Sequence, residues 1–390
     1  MKTFCSYFNS KTCGSCKYIS LEYNDQIKSK EESLLRELSQ FSNWTMLPSV
    51  SSSPLEFRNK AKLVVTGSLE EPIIGLAGST DIDLGREILN CPIHHPHINL
   101  ILKSIPDFIK VAKLIPYSIT KRTGELKGLI IYYSPESNEA YLRFVLRSKE
   151  SYDRIKKNAS TLLGLHPFLK CLSVNIQPLP QAILEGEEEI FVTETRSIRH
   201  KLGPIEFTLH PNAFVQTNKE VSQKLYESAA SWVKSLKIKK FMELYCGQGA
   251  FSFFCSPFTE SSWGVEINQQ AVLQAEQTAS SLKLSNLHFQ ASPAAHIFDE
   301  IQKIEPDLLL VNPPRAGLME ASKVVNESKA EYLIYSSCSL TSFKKDLNIL
   351  KMKYDLIQIQ IFDMFPHTEH FELLALLKAS SKSGLTSEGP

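Results

Sequence analysis

Apolar and polar positions along the chain fall into two regimes. From about residue 200 onward, short apolar runs alternate with amphipathic stretches. The runs are "KKFMELY", "WGVEI", "LHFQAS", "DLLLVNPP" and "EYLIYSSC", separated by segments such as "NQQAVLQAEQTASSLKL" and "SFKKDLNILKM". Apolar runs bounded by turn residues read as buried strands, and apolar positions recurring once per helical turn read as helices. Strands alternating with helices predict parallel strands joined by crossovers, a doubly wound α/β domain. Two last runs, "YDLIQIQIFDMF" and "FELLALLKA", lie too close together for a crossover and predict an antiparallel hairpin at one sheet edge.

The preceding residues follow another rhythm. "KAKLVVTGS", "GLIIYY", "AYLRFVLRS" and "LSVNIQP" are strand-like, with a Pro/Ser-rich loop, "LPSVSSSPLE", ahead of them. A helix is expected over residues 24–41, "NDQIKSKEESLLRELSQF", with Asn24 at the cap. The chain thus divides into a smaller strand-rich region, 1–200, an α/β domain, 201–378, and a tail, 379–390, whose composition predicts disorder.

At 390 residues the chain can bury two cores, and its formal net charge of +1 provides no overall field for a polyanion. Any nucleic-acid contact must come from local basic patches. No apolar run is long enough to span a bilayer and no signal peptide opens the sequence, which predicts a reducing cytoplasm and no membrane contact. There the eight cysteines are not expected to pair. Cys171 and Cys255, inside apolar runs, read as packed hydrophobes. Cys5, Cys13 and Cys16, in "CSYFNSKTCGSC", read instead as a metal or cluster site.

"MELYCGQGAFSFFC" places a strand before a Gly-x-Gly turn and a helix, so Gly247 and Gly249 let the backbone approach a ligand at the helix start. The third glycine of a dinucleotide fingerprint is missing, which argues against a pyrophosphate. Glu266 ends the following strand, where a carboxylate can hold ribose hydroxyls. Ribose recognition without a pyrophosphate loop points to S-adenosylmethionine. Asn312, before Pro313 and Pro314, is expected at the same carboxyl edge of the sheet. Cys338 ends the next strand at a polar position suited to a nucleophile. In "FPHTEHFELL", His367, His370 and Glu372 could hold a metal, although a carboxylate near a reactive thiol and a methyl donor makes better sense as a general base.

Taken together, "LRFVLRS", "NAFVQTN", "LYCGQGAFS", "NPPRAG", "YSSCS" and "DMFPHTEHFE" resemble the RNA uracil-C5-methyltransferase family over nearly the whole chain. The similarity is greatest to the branch that modifies 23S ribosomal RNA and lacks an N-terminal TRAM domain, so that no such domain is expected ahead of Cys5. The resemblance implies a Rossmann-like methyltransferase domain, a nucleophile at Cys338 and a base at Glu372. It assigns Gln216, Tyr245, Glu266 and Asn312 to the cofactor. It also implies a [4Fe-4S] cluster on Cys5, Cys13, Cys16 and Cys91, and a helix packed on the catalytic domain. "YSSCS" departs from the commoner "SSCN", which affects hydrogen bonding around the nucleophile and not the nucleophile itself.

Basic and aromatic residues interleave in "EFRNKAKLVV" and "YSITKRTGELKG", so Arg58, Lys60, Lys121 and Arg122 are the expected phosphate contacts of a monomer acting on ribosomal RNA. Three rivals remain: a transfer-RNA uracil methyltransferase, an amino-group methyltransferase for which Cys338 has no role, and an iron–sulfur redox protein with a vestigial methyltransferase fold.

Overall fold

Every residue of the Leu126–Ser134 strand is buried, which requires cover on both faces of its sheet. Leu129, Ile131 and Tyr133 point to one face, where they pack with Ile98, Ile101, Leu102 and Ile105 of one helix and Ile155 and Leu162 of another. Ile130 and Tyr132 point to the other face and meet Ile198 and Leu209 of a small hairpin. The alternation is the two-residue period of a strand with each side facing its own apolar partner.

This sheet belongs to the first of two units in the computed structural model, which describes residues 3–78, 83–181 and 185–380. Of the expected disordered tail, residues 381–390 lie outside them. The first unit is Met1–Ser20 with Ser53–Lys219, and the second is Leu21–Ser52 with Glu220–Pro390. A boundary at 200/201 would cut the strand Ile198–Leu202; the chain divides after Lys219 instead.

The first unit's sheet runs Arg86–Glu87, Pro72–Leu76, Lys60–Gly67, Leu126–Ser134, Glu139–Leu146, Leu169–Ile176 and Glu188–Phe191. Its pairs are antiparallel except Glu139–Leu146 with Leu169–Ile176, and the helix Tyr152–Leu165 makes that crossover. Besides the short Ser6–Asn9 turn of helix, two long helices were not expected here, Pro96–Val111 and Tyr152–Leu165. In the former, Pro106 masks the pattern, because an interior proline normally breaks a helix.

The second unit carries an eight-stranded sheet in the order Thr45–Met46, Tyr354–Phe362, Glu372–Ala379, Tyr332–Ser337, Leu308–Val311, Lys240–Leu244, Ser261–Glu266 and Leu287–Ala291. The last five are parallel to one another, and Glu372–Ala379 runs antiparallel to both its neighbours. The expected hairpin therefore forms, but Thr45–Met46 extends the edge beyond it. Strand order reverses between Lys240–Leu244 and Leu308–Val311, the switch point where open α/β sheets leave a ligand crevice.

The expected helix is Tyr23–Glu37, capped at Glu22 and not at Asn24, and it lies in the second unit. Its Leu34 joins the sheet's apolar core beside Phe343 and Leu347. No helix among the described residues is long and apolar enough to cross a membrane.

Candidate active site

At the switch point, the chain leaves Lys240–Leu244 through a run of left-handed residues: Tyr245 (φ 62°), Gly247 (φ 55°) and Gly249 (φ 82°). At Gly249 a Cβ would come within 2.6 Å of the Phe289 ring, so the site excludes any side chain. Tyr245 accepts the same backbone region despite its side chain, and its hydroxyl donates to the Leu318 carbonyl at 3.2 Å. The Gly247 N–H donates to Glu266 Oε2 at 3.0 Å and the Asn268 N–H to Glu266 Oε1 at 2.9 Å. Two backbone donors thus fix the carboxylate, and each oxygen keeps a lone pair for a ligand hydroxyl.

Tyr245, Glu266, Ile267, Pro314, Gly317 and Met319 line a cavity of about 230 Å³ at this edge. Asn312 follows the Leu308–Val311 strand, and its N–H donates to the Leu244 carbonyl at 3.3 Å. The loop beyond is pinned by Asp346, whose Oδ2 accepts from the Leu318 N–H at 2.7 Å and the Tyr335 hydroxyl at 2.5 Å. Neither Asp346 nor the buried Glu243 was singled out in the sequence, since each lies within an ordinary apolar pattern. Glu243 accepts from the Ser252 N–H at 2.8 Å and from its hydroxyl, joining the strand to the helix Ala250–Cys255. Burial pushes the Glu243 carboxyl up to about 8 against those two bonds.

Cys338 leaves the Tyr332–Ser337 strand half-buried. That strand pairs antiparallel with Glu372–Ala379 and ends with Ser337 opposite Leu373, and Cys338 and Glu372 are the next residues beyond that pair. Burial raises the thiol's pKa, the Glu372 carboxylate raises it further, and a hydrogen bond and charge from Arg315 oppose both. Arg315 is the partner that sequence reasoning missed, though it stands in the quoted "NPPRAG". A thiol, a carboxylate and a guanidinium thus lie within electrostatic reach of one another. Tyr226 is a further neighbour: burial first, and then the charges of Glu243 and Glu372, hold its phenol protonated.

A sequence profile described as tRNA (Uracil-5-)-methyltransferase matches residues 182–380, the stretch holding all of these groups. The 23S rRNA (uracil(747)-C(5))-methyltransferase of Actinobacillus pleuropneumoniae serotype 3 is 39% identical over 388 residues, covering 97% of this chain and 99% of that protein. The chain belongs to the RNA uracil-C5-methyltransferase family. The namesake enzyme of Haemophilus influenzae strain 86-028NP is 36% identical, with 96% of this chain and 98% of that protein covered. Among solved structures, the Pyrococcus abyssi tRNA (uracil-54, C5)-methyltransferase in complex with S-adenosyl-L-homocysteine superposes with a TM-score of 0.77 at 23% identity, over 93% of this chain and 85% of that one. It shares the fold.

In this uracil-C5-methyltransferase family member, Cys5, Cys13, Cys16 and Cys91 line one pocket of the first unit with Phe4, Tyr7 and Ile88. The Tyr7 hydroxyl accepts from the Leu89 and Asn90 N–H groups at 3.2 and 3.0 Å, tying the first cysteine loop to the Cys91 loop. Burial, then Cys91, Cys13 and Cys5, push the Cys16 thiol up to about 12. Four thiols held that close favour protonation unless a cationic core balances their charge. Among the described residues, no group of three or more Cys, His, Asp or Glu side chains could hold a metal ion. The thiols share a pocket without converging on one point. A single ion needs such convergence, whereas a four-iron cluster binds each thiolate to a different iron and sets the sulfurs further apart. Four thiolates are the ligand set that such a cluster takes.

The expected RNA contacts separate into two kinds. Lys121 and Arg122 are exposed on a turn closed by a Ser118–Thr123 bridge. Asp83 braces that turn, accepting from the Ile119 and Thr120 N–H groups at 2.8 and 3.2 Å and from the Ser118 hydroxyl at 2.7 Å. Lys60 is a correction: it is 8% exposed, its ammonium donates to the Ala213 carbonyl at 3.4 Å, and burial lowers its pKa to about 8. Arg58 is directed elsewhere too. Burial lowers its pKa while the Cys91 and Cys16 sulfurs beside it act in the opposite sense, and its Nε donates to the Lys60 carbonyl at 3.0 Å. Gln216 lies half-buried in the first unit, in the coil before the helix Lys219–Ser235.

Proposed function

We propose that this chain methylates C5 of a uridine in 23S ribosomal RNA, with S-adenosylmethionine as donor. The relatives' names point to uracil 747. The observation that supports the reading is a half-buried Cys338 thiol, just past the end of its strand, on which both the Glu372 carboxylate and the Arg315 guanidinium act. S-adenosylmethionine supplies an electrophilic methyl on a sulfonium. Glu266 would hold its ribose hydroxyls, with Tyr245, Gly247, Gly249 and Asn312 shaping the crevice and Gln216 assigned by resemblance alone.

Uracil C5 is too weak a nucleophile to take a methyl group unaided. The Cys338 thiolate adds at C6, turning the ring into an enolate whose electron-rich C5 can accept the methyl. Arg315 favours the thiolate that starts this step. The Glu372 carboxylate then removes the C5 proton, the C5=C6 bond reforms, and the C6–Sγ bond breaks to return the thiolate. The uridine must first leave its stack, which costs a few kcal/mol and least in a loop. Lys121 and Arg122, on their braced turn, would grip phosphates.

The finer proposals are a [4Fe-4S] cluster on Cys5, Cys13, Cys16 and Cys91, and a cytoplasmic enzyme acting as a single chain. The cluster is supported by four thiols on one pocket and by their spacing in the sequence. It would hold the two cysteine loops together. Arg315 beside Cys338 counts against an amino-group methyltransferase, which needs no activated sulfur.

The test is methylation of a 23S transcript by Cys338→Ala, together with exposure of the unaltered protein to the same RNA carrying 5-fluorouridine. Loss of turnover and a denaturant-resistant protein–RNA complex are expected. Normal turnover by the alanine variant would overturn the reading.

A further inference from the structure

The segment between the last two strands, residues 363–371, leads directly into Glu372. One face of the helix Tyr23–Glu37 holds that segment at three places. Lys30 Nζ donates to Asp363 Oδ1 at 2.5 Å and to the Phe365 carbonyl at 3.1 Å. The Tyr23 hydroxyl donates to Asp363 Oδ2 at 2.6 Å. Gln26 Oε1 accepts from the His367 N–H at 2.8 Å, while Gln26 Nε2 lies 3.2 Å from His367 Nδ1 and donates to the Leu21 carbonyl at 3.1 Å. His367 itself is in the left-handed region, at φ 66°, a conformation that persists where its surroundings fix it.

Positions 23, 26, 30 and 34 recur at helical spacing on one side. Leu34 serves the apolar core, so attachment of the helix does not need the polar groups. The Lys30 and Asp363 side chains are nevertheless fully buried. An ion pair removed from water contributes little net stability compared with apolar groups of the same size, and its gain is a defined position. The position defined here is that of the residues that deliver the base. Proton transfer is sensitive to such placement, since about 1 Å of displacement can cost about a hundredfold in rate.

We infer that Gln26 and Lys30 are positioning residues for Glu372, and that they govern release of the methylated base and not formation of the covalent adduct. The inference rests on the proposed uracil methylation. In the step concerned, the C5–H bond breaks and its proton passes to the Glu372 carboxylate. The bonding pair becomes C5=C6, and the C6–Sγ pair leaves with the Cys338 sulfur. A displaced carboxylate leaves addition at C6 intact and stalls this elimination, so methylated RNA stays attached to the protein.

The experiment uses the full chain, a 23S rRNA transcript and donor labelled in its methyl group. Turnover and denaturant-resistant labelled complex are measured for Gln26→Leu, and for Lys30→Met combined with Asp363→Leu, which replaces the buried pair by apolar groups. Glu372→Gln serves as the reference. Each latch variant is expected to lose at least tenfold in turnover while labelled complex accumulates, as in the reference. Turnover and complex falling in parallel, or neither changing, would overturn the inference. Failure of Glu372→Gln to accumulate complex, or full activity of Cys338→Ala, would instead overturn the methylation reading and the latch with it.

Discussion

Cys338 and Glu372 are the next residues beyond Ser337 and Leu373, the last paired positions of two antiparallel strands, and the Glu372 carboxylate bears on the Cys338 thiol. Burial and that carboxylate hold the thiol above its ordinary pKa, while Arg315 draws it down. Alkylation of Cys338, followed by peptide mass spectrometry, should therefore accelerate with pH through an alkaline midpoint. Glu372→Gln should move the midpoint to lower pH and Arg315→Met to higher pH. Midpoints unchanged in both variants would remove the electrostatic account of how the Cys338 thiol is tuned.

Loss of the proposed base should be severe in turnover. A positioned general base contributes about 10²–10⁴ in rate, and Glu372→Gln is expected to lose that much in steady-state methylation. Single-turnover transfer of the methyl into covalent complex should fall far less. Equal losses in the two measurements would place Glu372 in an earlier step.

Glu243 predicts an unusual stability profile. Its carboxyl titrates near 8 in the fold against 4.5 ordinarily, so the folded state binds a proton that the unfolded chain releases. The associated stabilisation is complete below about pH 4.5 and is lost as pH rises toward 8. Glu243→Gln keeps an oxygen for Ser252 and carries no charge. Its Tm relative to the unaltered protein should therefore climb between these limits, and a constant difference would show that the carboxyl titrates normally.

Gly249 leaves no room for a methyl group. Alanine there meets the Phe289 ring and adopts a left-handed φ of 82°. Steric overpacking costs about 1–3 kcal/mol and the backbone roughly 1–2 kcal/mol more. Gly249→Ala should lower Tm and abolish calorimetric binding of S-adenosylhomocysteine, whereas Gly247→Ala, with no atom within 4 Å of the new Cβ, meets only the backbone term.

The basic turn and the cysteine pocket are separable by salt and by colour. Lys121→Ala with Arg122→Ala should weaken RNA binding and flatten its salt dependence by about 0.7–0.9 per lost phosphate contact. Anaerobically prepared protein should be brown and hold iron and sulfide, and Cys91→Ser should lose both. One zinc without sulfide would exclude the cluster.

The sheet of the second unit was readable because its strands are short apolar runs that end at turn residues. "MELYCG", "WGVEI", "LLLVNPP" and "YSSC" are apolar runs closed by Tyr245, Glu266, Asn312 and Cys338, and parallel strands bring such endings to one edge. Arg315 and Asp346 were not readable. One is a surface cation in sequence until the loop folds it toward Cys338, and the other is an acid in an amphipathic helix. Lys60 misled because alternation put its side chain on the hairpin side of the sheet, next to Ala213. The buried Lys30–Asp363 pair joins residues more than three hundred positions apart, and no local pattern announces that.

The segment Leu21–Ser52 lies in the sequence between two pieces of the first unit, yet it completes the second. On the ribosome it emerges long before Tyr354–Phe362 and Asp363, its eventual partners. Until the last strands are made, Leu34 and the ammonium of Lys30 must wait without their native surroundings. The nascent protein can assemble its cysteine pocket early, but its catalytic half closes only when translation is nearly over. A recombinant catalytic fragment beginning at Glu220 would lack both the outermost strand and the helix behind Glu372; it needs Leu21–Ser52 supplied in trans or joined by a linker.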